Sequence, residues 1–280
     1  MSPVSPGKVA VVTGAASGIG LGLSERFAAE GMHVVMADVE EPALSKAASV
    51  LADSGASVLP VVTDVSDAAA VEALRDTAVS GFGAVHVVCN NAGVGGPHGP
   101  LWECPPGEWD WVLGVNLGGV INGVRTFMPL LLEQEAAHMV NTASIFGVFA
   151  GALGPYGVSK HAVVALTETL YFNLQSLGVS HVGVSVLCPG AVRTNFGTSA
   201  RNRPPRAGPP AVTGAAEQAS AEQFSRLAVA GASPAEVAGI VVDGIRSGRF
   251  YILTSVKRES AVTRRGAEIV AGGPPTLPFP

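Results

Sequence analysis

Tyr156 and Lys160 lie four residues apart in the stretch GPYGVSKHAVVAL, residues 154 to 166. On a helix that spacing stacks the two side chains on one face. A phenol titrates near pH 10, too high for a general base at neutrality. An ammonium about 4 Å away, at an effective dielectric near 20, favours the phenolate by roughly 4 kcal/mol, on the order of three pKa units. The pair is therefore suited to exchanging a proton with a substrate oxygen, with the lysine expected to bring the phenol into a usable range. Taken alone, a Tyr and a Lys at this spacing are more often an exposed pair. Ser144 and Asn116, also alone, read as a strand-end hydroxyl and a residue that bends or caps a helix.

A second chemistry-bearing stretch is VVTGAASGIGLGLSERF, which sets Gly14, Gly18 and Gly20 around Ser17 and Ile19. Placed between a strand and a helix, such glycines let the backbone turn sharply and let a pyrophosphate approach the amides at the helix N-terminus. Asp38 follows Gly20 by 18 residues and ends the next apolar run. A carboxylate there accepts hydrogen bonds from both hydroxyls of an adenosine ribose and repels a 2'-phosphate. Neither Ser17 nor Val39 supplies a compensating cation, so NAD is expected rather than NADP.

These groups need elements to hold them. Valine-rich runs of strand length recur at 8–13, 33–38, 57–64, 85–90, 138–144, 181–190 and 249–254. They are apolar on both alternating faces, as suits a parallel sheet covered on two sides. Helical periodicity fills the intervals, and several of the periodic segments close on glycine. Ser233, Pro234 and Glu236 have the spacing of a capping box at the start of a late helix. The expected fold is a single α/β domain over 1–280, a doubly wound Rossmann-type parallel sheet of about seven strands with helices on both faces. Residues 195–232, crowded with proline, glycine and alanine, are expected to form a substrate lid or binding loop, and 255–280 a C-terminal tail without an assigned role.

Composition narrows the function classes. Hydrophobic residues make up 48% and charged residues 14%, with a net charge of -5, so the chain has a substantial core and shows no basic stripe of the kind nucleic acid requires. Cys89, Cys104 and Cys188 are odd in number and too widely spaced for a disulfide framework or a zinc ribbon. No metal-ligand spacing is apparent. His33, His86, His138 and His181 stand at strand beginnings, the wrong end of a parallel sheet for catalysis. The N-terminal apolar run is short for a secretory signal, and no stretch looks long enough to span a bilayer, so a cytoplasmic protein is expected.

Read in order, Thr13 to Gly20, Asp64, the NNAG turn from Asn90 to Gly93, Asn116, Ser144, Tyr156 with Lys160, and PGAVRT (189–194) resemble the motif series of the short-chain dehydrogenase/reductase family. The resemblance runs from about residue 8 to 194. It implies that Asp64 and Val65 border the adenine, that Asn91, Ala92 and Gly93 line the cofactor cleft, and that Val192 and Thr194, with Pro189 and Gly190 ahead of them, hold the nicotinamide carboxamide. It further implies that Lys160 binds the nicotinamide ribose, that Ser144 holds the substrate oxygen, and that Asn116 holds a water linking Lys160 to solvent. A homotetramer or dimer is also implied, built on the helices starting near residues 107 and 155 and on the late helix and last strand.

The substrate should be a small molecule bound beyond the carboxyl ends of the strands. Leu101, Trp102, Ile145, Phe146, Val148, Phe149 and Leu153 in the loops there favour an apolar secondary alcohol or ketone, terpenoid, steroid or polyketide-like. His98 in the first loop is expected at the solvent surface. Arg193, Arg201, Arg203 and Arg206 could recognise a carboxylate, phosphate or carrier, with solvated lid residues the simpler account. Two other readings stay open: an NAD-binding sensor or scaffold without turnover, and an NADPH-dependent acyl-carrier ketoreductase, which Asp38 disfavours.

Overall fold

The structure is a computed structural model, and it describes residues 2–97, 99–149, 151, 153–208, 230–254 and 259–277. Seven strands form one parallel sheet: β1 (Val9–Thr13), β2 (His33–Asp38), β3 (Val58–Val62), β4 (Val87–Asn90), β5 (Ala137–Thr142), β6 (Val182–Cys188) and β7 (Tyr251–Leu253). Their spatial order is β3-β2-β1-β4-β5-β6-β7, and every neighbouring pair runs parallel. The direction of winding reverses between β1 and β4, so a crevice opens at their carboxyl ends.

The helices that carry the crossovers are α1 (Gly18–Ala29), α2 (Glu41–Asp53), α3 (Ala68–Phe82), α4 (Pro106–Leu113), α5 (Gly119–Leu132), α6 (Gly154–Ser176), α7 (Pro234–Arg246) and α8 (Glu259–Ala271). Strand alternation divides the core between the two faces. Ala10, Val12, Val34 and Met36 point to one side, where Leu23 and Phe27 of α1 meet Val237 and Val241 of α7. Val9, Val11, Val35 and Ala37 point to the other, against Val71 and Leu74 of α3 and Phe127 and Leu131 of α5. Two-sided packing demands a strand that is apolar along nearly its whole length, and β1, four apolar residues followed by the hydrogen-bonded Thr13, is buried throughout.

The sheet edges differ from its centre. β3 is only partly buried, and Pro60 sits within it, a residue that an edge strand tolerates. The capping box at the start of α7 is present: Ser233 Oγ accepts from the Glu236 N–H while Glu236 accepts from the Ser233 N–H. Gly83 ends α3 in the left-handed region, with φ 78°.

One expectation is corrected. The helical stretch Pro106–Leu132 is 27 residues long and, by length and composition, apolar enough to cross a membrane. Gly114, Gly118 and Gly119 make the sequence look like two short segments, but a single π turn, Gly114–Gly118, carries the helix through them. In the fold α5 packs on α3, and α4 packs on α6. Of the expected tail, Glu259–Ala271 form α8; His98 and parts of the expected lid and tail, residues 209–229, 255–258 and 278–280, lie outside the described residues.

Candidate active site

The glycine loop leaves β1 at the crevice. Gly14 takes φ 68°, and a Cβ there would come within 2.9 Å of the Ala92 Cα. A Cβ on Gly20 would run into the Gly14 carbonyl oxygen. The loop backbone is thus packed too closely for side chains, which leaves its amide side open for a ligand. Ser17, the residue before α1, offers no side-chain cap, and no acidic residue occupies the first turn, so the helix terminus keeps its affinity for an anion. Asp38 closes the loop from the next strand, accepting from Ala16 N–H at 2.9 Å and Glu40 N–H at 3.0 Å. Each carboxylate oxygen retains acceptor capacity after those bonds.

Thr13 ties the loop to the neighbouring strand. Its hydroxyl accepts from the N–H groups of Asn91 (2.9 Å) and Ala92 (3.1 Å) and donates to the Cys89 carbonyl at 3.3 Å. Asn91 in turn donates to the Thr13 carbonyl at 2.9 Å. Asp64 accepts from both the N–H and the hydroxyl of Ser66, fixing the turn after β3 in which Val65 lies buried.

Helix α6 begins at Gly154, which places Tyr156 and Lys160 in its first two turns. Lys160 is only 3% exposed, and its Nζ donates to the Thr142 carbonyl at 2.9 Å. The same nitrogen stands 5.8 Å from the centroid of the Tyr156 ring. Ser144 stands beside the phenol and favours its ionised form, and its hydroxyl accepts from Phe146 N–H at 3.2 Å. Burial pushes the phenol up to about 12, with the Ser144 bond pulling the other way, and burial pushes the ammonium down to about 8. The expected lowering of the phenol by Lys160 is therefore overturned in the protein alone: desolvation of the ring oxygen outweighs its neighbours.

Asn116 is fully buried in the π turn and grips the loop after β4. Its Oδ1 accepts from Val94 N–H at 2.8 Å, and its Nδ2 donates to the Val94 carbonyl at 2.9 Å and to Ser159 Oγ at 3.1 Å. The amide is thus engaged in positioning backbone, and a π turn is what aims it there.

These pieces surround one cleft of about 860 Å³. Gly14, Ser17, Gly18, Ile19, Asp38, Asp64, Val65, Asn91, Ala92, Gly93, Ser144, Tyr156, Lys160, Pro189, Gly190, Val192 and Thr194 all line it. Gly20 and Asn116 stand behind its wall. The apolar end differs from expectation. Ile145 and Phe146 line the cleft, but Phe149 turns away to pack with Ile145 and with Ala261 of α8, and Trp102 is 85% exposed. Val94, Trp111, Val115 and Phe196 take those places, with the Phe196 ring 5.3 Å from that of Tyr156. Trp111 sits at helical spacing in α4, a signal shared by any core tryptophan, and Phe196 had no periodic signal at all.

Two of the arginines are held in ion pairs. Arg203 is 11% exposed and pairs at 2.8 Å with Glu108, itself buried in α4. Arg201 reaches Glu40, just beyond β2. Among the described residues, no group of three or more His, Cys, Asp or Glu side chains is placed to hold a metal.

Comparison with known proteins settles the lineage. The family model for short chain dehydrogenases matches residues 8–205. The chain is a short-chain dehydrogenase/reductase. A crystal structure of a short-chain dehydrogenase/reductase from Burkholderia phymatum in complex with NAD superposes with a TM-score of 0.95 at 43% identity, each chain covered in full. 1-Deoxy-11-beta-hydroxypentalenate dehydrogenase from Streptomyces exfoliatus is 43% identical over 251 residues, 89% of this chain and 83% of that one. CLA biosynthesis dehydrogenase/reductase from Lactiplantibacillus plantarum is 32% identical over 275 residues, 96% of each chain. As a member of the short-chain dehydrogenase/reductase family the chain is an oxidoreductase with an NAD-binding Rossmann fold.

Proposed function

We propose that the protein interconverts a hydrophobic, ring-bearing secondary alcohol and its ketone, using NAD(H) in preference to NADP(H). The observation that carries this reading is the half-buried ring of Tyr156, with Ser144 beside its phenol and Lys160 flanking it, in the wall of a cleft with an apolar end. The residues present fit a nicotinamide dinucleotide. The glycine loop and the α1 terminus would take the pyrophosphate, Asp38 the adenosine ribose, and Asp64 and Val65 the adenine edge. Lys160 would take the second ribose, Val192 and Thr194 the carboxamide, and Asn91, Ala92 and Gly93 the floor between them. When bound, the nicotinamide supplies the hydride acceptor or donor.

The chain's own part is proton handling and exclusion of water. Ser144 Oγ holds the substrate oxygen, and Tyr156 Oη takes the hydroxyl proton in oxidation and returns it in reduction. The Lys160 ammonium favours the phenolate as it forms. Trp111, Val115, Ile145 and Phe196 offer rings and branched chains to an apolar skeleton. The relative named as a dehydrogenase of 1-deoxy-11-beta-hydroxypentalenate supports a hydroxylated substrate of this kind. Asp38 supports NAD, because a 2'-phosphate there would meet a like charge.

Fluorescence titration with NADH and NADPH, followed by turnover assays across a panel of cyclic secondary alcohols, tests the reading. NADH should bind at least about tenfold tighter, roughly 1.4 kcal/mol. Oxidation of some panel members is expected. Binding without turnover on any of them would favour a sensor, and tighter NADPH binding would overturn the role given to Asp38.

A further inference from the structure

The segment after β6 crosses the mouth of the cleft and is fastened on the far bank. Thr194 caps the turn Asn195–Asn202, its hydroxyl accepting from Phe196 N–H at 3.3 Å. At the other end of that turn, Arg201 forks onto Glu40: Nε donates to Oε2 at 3.1 Å and Nη2 to Oε1 at 2.5 Å. Asn202 Nδ2 adds a third bond to Oε1 at 2.7 Å. The remaining guanidinium nitrogen folds the turn on itself, donating to Thr198 Oγ1 at 2.9 Å and the Asn195 carbonyl at 3.3 Å.

Glu40 is placed by Asp38, whose carboxylate accepts its N–H. The bridge therefore joins the β2 end of the sheet to the segment that follows β6, directly beside the carboxylate assigned to the adenosine ribose. Glu40, Arg201 and Asn202 all border the cleft. Three donors on one carboxylate, two of them a planar fork, make a charge-assisted contact with defined geometry. The Arg201 bond, first among the causes, holds the Glu40 carboxyl below the usual range. Arg201 is 36% and Glu40 26% exposed, so the contact adds little to global stability, and its consequence is local: it holds one strap closed over one end of a groove.

We propose that Glu40, Arg201 and Asn202 form a latch over the adenosine end of the cleft, and that its opening sets the rate at which the dinucleotide leaves. The proposal rests on the reading of this cleft as the dinucleotide site. It assigns Glu40 a role that its position two residues beyond Asp38 does not announce, since its partners are 161 and 162 residues away.

Stopped-flow displacement of bound NADH, followed by its fluorescence, reads this directly. Glu40→Gln and Arg201→Met should each release NADH about tenfold faster, and neither should slow its association. The double variant should be no faster than either single one, because both remove the same contact. Raising salt should speed release from the wild-type protein and lose that effect in the variants. Release within about twofold of wild type in both single variants, or additive effects in the double, would overturn the latch while leaving the cofactor reading intact. Absence of NADH binding to the wild-type protein would instead remove both.

Discussion

At the residue scale, the proposed chemistry rests on a half-buried phenol in the wall of the cleft. Tyr156 is pushed up to about 12 by burial, so it rests as a proton donor, and Ser144 beside it pulls the other way. Tyr156→Phe keeps the ring and its contact with Phe196 while deleting the oxygen. It should lower kcat by at least about 100-fold, roughly 2.7 kcal/mol of barrier, with NADH affinity almost unchanged. Steady-state kinetics beside an NADH titration checks this, and a variant keeping a tenth of the rate would show that another group moves the proton. A second buried titrating group, His138, lies at the opposite end of the sheet. Ser185 Oγ donates to the Arg249 carbonyl, so it must accept from His138 Nε2 at 2.7 Å, and Gly183 leaves room for the ring. Burial holds the imidazole at about 4, below its unfolded value near 6.5. The unfolded chain binds the proton first as pH falls, so stability is lost from about pH 6.5 down towards 4. His138→Gln should shrink the difference in unfolding free energy between pH 7 and pH 5 by about 2 kcal/mol. Urea titrations at the two pH values measure it, and an unchanged difference would show that His138 is already charged in the fold.

At the element scale, the short turns after β6 owe their place to α4. Gly107 leaves no room for a side chain beneath the Ala207 carbonyl, and Arg203 reaches the buried Glu108 while also donating to the Ala207 and Gly208 carbonyls. Removing the arginine strands a buried carboxylate, at a cost of about 3 kcal/mol. Arg203→Met should therefore speed tryptic cleavage after Arg193 or Arg201, and Glu108→Gln added to it should slow cleavage again. Equal cleavage rates in wild type and Arg203→Met would mean that the turns are held by other contacts. The strands, the crossover helices and the α7 capping box were legible because each is coded by neighbours in sequence. Strands are short continuous valine-rich runs, helices repeat near 3.6 residues, and Ser233 and Glu236 are three apart. The π turn was not, because glycines normally interrupt a helix, and only packing of Asn116 against Val94 and Ser159 shows why this one continues.

At the scale of the whole molecule, α6 exposes Tyr171 (39%) and Phe172 (67%), and Tyr251 of β7 is 45% exposed. Tyr171 packs on Phe250, so the aromatic patch runs continuously from helix to edge strand. Contiguous apolar surface of this kind is usually covered. We take a second copy of the chain to cover it, in line with the homo-oligomer that the family resemblance implies. Phe172→Glu should then shift the sedimentation coefficient to that of a smaller species, and a wild-type protein that sediments as a monomer would refute the interface.

Sequence by itself determined the alternating α/β order, the glycine loop with its distant aspartate, and the Ser, Tyr and Lys series, because each depends on residue type at short or ordered spacing. Tertiary structure alone decided which aromatic rings line the cleft, that burial pushes the phenol up, and that Glu40 and Glu108 find Arg201 and Arg203. Those outcomes depend on burial and on partners far apart along the chain, and neither desolvation nor a long-range contact leaves a periodic trace in the order of residues.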